Sequence, residues 1–233
     1  MTNKMFSKKG FTLLELLIVI AILAILSVVV VLVLNPAETL KKARDVQRIS
    51  DLDVLKTALG LYLTTVSAPD LSTDTIDNNR CVNSSAATPD PTVFYDQTGI
   101  AAGTRSYGTG AQTGGGKTYE TTAWATSGSA SSVVDGTGWL PVRFSDITGG
   151  SPISNLPRDP APVINSLGEG PTNNHFYSYV CDAVDTTFEL GANLESSAFS
   201  NGGADDKEKN DGGNNDLIFE KGTELLIVTS NGY

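Results

Sequence analysis

From Leu16 to Leu34 a single Ser27 interrupts an otherwise apolar run, and the stretch 11–34, FTLLELLIVIAILAILSVVVVLVL, is long enough at 1.5 Å rise per residue to cross a bilayer as one helix. No other feature of the chain restricts its fold so much. Lys4, Lys8 and Lys9 precede the run and no comparable basic cluster follows it at once, so the positive-inside rule keeps the N-terminus cytoplasmic and sends the rest outward. A secretory signal peptide has a shorter apolar core and a small-residue cleavage step behind it. None closes this run before Asn35, so the apolar segment is expected to persist in the mature protein.

Glu15 sits inside this apolar stretch. A lone carboxylate there costs roughly 2.5 to 3.5 kcal/mol on insertion scales, so it calls for a partner, a protonated state or a place near the interface.

The segment KKGFTLLELLIVIAILAIL resembles the leader and helix start of type IV pilins and of type II secretion pseudopilins. The resemblance implies that a membrane peptidase cuts after Gly10 and methylates Phe11. It also implies that Glu15 pairs with the new N-terminal amine of a neighbouring copy as the helix enters a filament. Such pairing has a physical rationale, because two opposite charges in a desolvated bundle are better together than either alone. The implied fold is α+β: a long N-terminal helix packed on a small antiparallel sheet.

Four regions are expected: a leader over 1–10, a membrane and filament-core helix over 11–34, its amphipathic continuation over 35–66, and an extracytoplasmic head over 67–233. Pro36 either starts a helix as its first residue or kinks a continuous one, having no N–H to donate. Leu40, Ala43, Val46, Ile49, Leu52, Leu55, Leu59, Tyr62 and Val66 recur at spacings of three and four and form an apolar stripe suited to packing on a sheet. Arg44, Asp45, Arg48, Asp51 and Asp53 fall largely off that stripe and read as an opposed-charge surface for solvent or neighbouring subunits.

Residues 70–135, rich in Thr, Ser, Gly, Asn and Ala, read as a long loop region with short elements. Within them AQTGGGKT approximates a phosphate-binding loop, with Lys117 and Thr118 in register, but no apolar strand precedes it and no amphipathic helix follows. A glycine-rich surface loop is the better reading. Over 138–230 an antiparallel meander is expected, with strands at 175–181, 186–190 and 225–229. The LPRDP segment at 156–160, ahead of a Tyr-rich strand, resembles a turn of the pseudopilin pattern.

Cys81 and Cys181 are the only cysteines, so a Cys-ligated metal site is disfavoured and one disulfide can form outside the cytoplasm. The stretch 205–216 collects oxygen donors that suit Ca²⁺, with Asp206, Asp211 and Asp216 as the expected ligands, although no register matches an EF-hand. A solvated acidic turn is the competing reading. His175 is the single histidine, which leaves a Ser-His-Asp triad or a His-based zinc site nothing to assemble around. The formal charge of −10 disfavours nucleic acid as a partner.

The expected function is therefore structural rather than enzymatic: a subunit of a type IV pilus or pilus-like filament. It would start as a single-pass precursor in the cytoplasmic membrane and end in a cell-surface filament. Its partners would be further copies of itself, the prepilin peptidase, the pilus or secretion assembly machinery and, before assembly, membrane lipid. A major pseudopilin of a type II secretion system and a single-span anchored extracytoplasmic binding module are the alternatives.

Overall fold

The computed structural model describes residues 10–72, 81, 92–96, 104–105, 110–114, 117–121, 124–129, 131–163, 175–182 and 185–227. The chain divides into two compact units, residues 1–40 and 41–233.

The first unit contains α1, Leu13–Leu34, whose side chains are exposed throughout 13–30. By length and composition α1 can cross a membrane. It stops at Asn35, which takes a left-handed conformation (φ 37°) that Asn tolerates better than most residues. The second helix, α2, runs Pro36–Thr65 with Pro36 as its first residue. That resolves the choice the sequence left open: Pro36 starts a helix, and Asn35 accepts the Glu38 N–H through both its carbonyl and its side-chain oxygen.

In the second unit, α2 lies on a six-stranded sheet of order β2-β5-β1-β6-β7-β8. The strands are β1 (Thr92–Tyr95), β2 (Thr104–Arg105), β5 (Trp124–Gly128), β6 (Tyr177–Asp182), β7 (Thr187–Ala192) and β8 (Phe219–Gly222). β6, β7 and β8 form the antiparallel meander, and β1 joins β6 antiparallel. β1 and β5 run parallel, which the expectation of an antiparallel sheet did not include. The third meander strand also moves: the described part of the expected 225–229 strand, residues 225–227, is irregular, and β8 lies earlier in the chain. The reason is burial on both faces. Phe219 faces the core while Glu220 is fully buried opposite it, a pattern that hydrophobic periodicity does not reveal.

Between β2 and β5, β3 (Gly110–Gly114) and β4 (Lys117–Thr121) pair antiparallel as a separate hairpin. The phosphate-loop look-alike is thus strand followed by strand. Without a helix N-terminus behind the glycines, the dipole and N–H groups that such a loop aims at phosphate are missing.

The core gathers Leu52, Leu55, Ala58, Leu59 and Tyr62 of α2 against Tyr177, Tyr179, Phe188, Leu190 and Phe219 of the sheet, with Trp139, Leu140 and Phe144 from the preceding loop. Only the C-terminal two thirds of the expected stripe is used. Leu40 and Val46 stay exposed, whereas Asp45 and Arg48, expected on a charged surface, are fully buried. Cys81 and Cys181 form a disulfide with Cα atoms 4.7 Å apart, tying residue 81 to β6.

Candidate functional site

The N-terminal motif is built by the first turn of α1. Thr12 is the N-cap: its hydroxyl accepts the Glu15 N–H at 3.2 Å, and the Glu15 carboxylate accepts both the Thr12 N–H and the Thr12 hydroxyl proton at 2.9 Å. This is a reciprocal capping box, in which side chains satisfy N–H groups that the helix start leaves orphaned. Gly10 and Phe11 precede it in non-helical, exposed backbone. Gly10, Phe11, Thr12 and Glu15 therefore occupy the exposed start of an apolar helix, with the carboxylate folded back onto its own backbone.

Residues 5–31 match the family model of the prokaryotic N-terminal methylation motif. This chain carries that motif. It is the class III leader of type IV pilins and pseudopilins, and it points to a structural subunit made as an N-terminally anchored membrane precursor and processed by a prepilin peptidase. No curated protein and no solved structure matches the chain.

The head holds a second cluster, which the sequence did not reveal. The Arg48 guanidinium is fully buried and forks onto Asp159 (Nε to Oδ2 2.7 Å, Nη2 to Oδ1 2.8 Å), with further contacts to Asp45 (2.9 Å) and Glu195 (2.6 Å). Asp45 also accepts the N–H groups of Glu195 and Ser196 at 2.8 Å. Burial works against ionised Glu195, yet hydrogen bonds from Arg44 and Arg48 hold it down at about 2. Two links anchor the LPRDP turn from other directions: Asp96 accepts the Asp159 N–H, and the Trp139 indole donates to the Pro157 carbonyl. One guanidinium thus pins α2 to the 156–160 turn and to the segment after β7. The i,i+3 pairing of Asp45 and Arg48 is visible in the sequence, but exposed helices carry the same spacing, so it gives no sign of burial.

The expected calcium ligands do not come together. Asp206 accepts from Gly202 and Lys209 N–H groups, Asp211 from Gly213 and Glu220 N–H groups, and Asp216 is exposed. Among the described residues, no group of three or more His, Cys, Asp or Glu side chains is arranged to hold a metal. In this arrangement their oxygens accept backbone N–H groups and cap turns of the 201–220 loop, and the three side chains are not gathered into one oxygen cage.

Burial, and then the neighbouring Glu189 carboxylate, raise Glu220 well above the usual range. Its Oε2 accepts the Asn215 N–H, and Glu189 accepts the Ile227 N–H. The pair lies on the sheet face opposite α2 and is held by the loop before β8 and the segment after it. His175 bridges to Val163, and burial, together with the nearby Arg48 charge, holds its imidazole below the ordinary value.

Proposed function

We propose that the chain is a structural subunit of a type IV pilus or pilus-like filament, cut after Gly10 and assembled through α1. The observation that carries this reading is an apolar helix, exposed over residues 13–30, whose single carboxylate, Glu15, stands five residues beyond the glycine of a methylation motif. In the precursor the capping box satisfies Glu15 within its own chain. Cleavage would turn the Gly10–Phe11 peptide nitrogen into an amine beside the positive end of a helix. A Glu15 from a neighbouring copy is the partner that neutralises it, and the apolar faces of both helices lose contact with lipid together.

The experiment is a comparison of wild type, Glu15→Leu and Glu15→Gln, with the N-terminal mass of the subunit and electron microscopy of filaments as readouts. Wild-type filaments should contain subunits beginning at methylated Phe11, and both variants should be cut normally yet fail to assemble. Assembled fibres whose subunits keep Met1, or normal fibres from Glu15→Leu, overturn the reading.

The pseudopilin reading is supported by the LPRDP turn, which the Arg48 cluster builds into the head. Long extracellular fibres favour the pilus, and their absence from a secreting strain favours the pseudopilus.

A further inference from the structure

The head contains a cavity of about 350 Å³ whose lining includes Lys41, His175, Glu195, Ser200, Asn201 and Glu208. Its charges do not cancel locally. Glu195 is neutralised by Arg44 and Arg48, and its carboxylate is therefore spoken for. Glu208 is different: it is 4% exposed and accepts the N–H groups of Leu194 (3.0 Å) and Asn201 (2.8 Å). Among the described residues it has no ion-pair partner. A carboxylate removed from water without a counter-charge is costly and gains most from a cation brought into the cavity. Lys41 is the complementary case, an exposed ammonium on the same lining that makes no ion pair among the described residues. Ser200 donates its proton to the Ser196 carbonyl, which leaves its oxygen lone pairs to accept from a ligand.

We propose that this cavity binds a small zwitterion with a primary ammonium group at one end and an oxyanion at the other, the ammonium on Glu208 and the oxyanion on Lys41. The volume suits a small organic molecule rather than a bare ion. The buried carboxylate and the exposed lysine set the direction, ammonium inward and oxyanion outward. Phosphoethanolamine has this chemistry both as a free solute and as a lipid headgroup, whose ammonium is the free tip. This inference goes beyond filament assembly and does not depend on it.

A pH signature accompanies the site. Burial raises the Glu208 carboxyl to about 7, so the cation-binding form grows between pH 6 and pH 8. The charged and titratable groups facing it are Lys41 and Asp45 on α2, His175 ahead of β6, Glu195 after β7, and Asp206 on its own loop. Glu195 is held at about 2 and stays ionised over that window, while burial and the Arg48 charge shift His175 toward its neutral form.

The test is isothermal titration of the full chain in nonionic detergent with phosphoethanolamine, ethanolamine or inorganic phosphate. Phosphoethanolamine should bind saturably at one site, at least tenfold tighter than either fragment, and severalfold tighter at pH 8 than at pH 6. Glu208→Gln and Lys41→Ala should each weaken it at least tenfold. Lys41→Ala alters an exposed side chain, so the test stands even where Glu208→Gln fails to fold. Competition by micelles doped with phosphatidylethanolamine, but not phosphatidylglycerol, assigns the lipid source, and its absence assigns the free solute. Failure to saturate, equal binding of the fragments, or binding indifferent to Lys41→Ala overturns the proposal.

Discussion

Replacing Arg48 with Met tests how the head is held together. Met retains much of the aliphatic volume but removes every contact of the guanidinium. Asp45 and Asp159, 0% and 5% exposed, would then be buried carboxylates without a cation, keeping only the N–H groups of Glu195 and Ser196 on one and of Ala161 on the other. Removing one partner of a buried ion pair costs about 3 to 5 kcal/mol, chiefly through the charge left behind. For a domain of this size each kcal/mol lowers Tm by roughly 2 to 4 °C, so the fall should lie between about 6 and 20 °C.

The assay is thermal and urea unfolding of the full chain in nonionic detergent, followed by tryptophan fluorescence, since Trp139 is buried in the core. A loss below about 1 kcal/mol refutes the reasoning.

Reducing the Cys81–Cys181 bridge, which spans 100 residues of sequence, should lower stability by about 4 to 5 kcal/mol in the chain-entropy model, and an unchanged urea midpoint in reductant would contradict that. Glu220→Gln should flatten the pH dependence of stability. The folded carboxyl is raised by burial and by Glu189, so wild type is favoured below the unfolded value near 4.3 and loses stability as pH climbs above it. Urea midpoints at pH 5, 7 and 9 check this, and equal slopes for both proteins would count against the buried acid pair. Two earlier predictions complete the set: Glu15 variants that are processed but not assembled, and a zwitterion site weakened by Lys41→Ala.

The comparison of sequence with structure divides along the range of the interactions involved. Local signals were legible. The apolar run that becomes α1 is contiguous, Pro36 has few places in a helix to go, and the stripe from Leu52 to Tyr62 buries as its spacing implies. The strands of 175–192 also fall close to where β-formers cluster between turns.

Nonlocal chemistry was not legible. Asp45 and Arg48 look like surface residues of any charged helix, and only Asp159, 111 residues from Arg48, together with Glu195 makes their burial tolerable. The same holds for Asp206 and Asp211, whose oxygens the folded loop brings to backbone N–H groups that composition does not reveal. β8 was misplaced because Glu220 reads as a surface residue until Glu189 and the covering segments enclose it.

The sequence by itself determined that an apolar helix lies within residues 11–34, carrying one carboxylate behind a glycine and two lysines, because bilayer thickness, helix rise and charge cost act on contiguous residues. Tertiary structure alone decided which charges lie inside the head, where Arg48 is satisfied, and that Glu208 lines a cavity with no ion-pair partner among the described residues. A buried charge is stable only through partners that the folded chain brings from far away in sequence, and no window along the chain contains them.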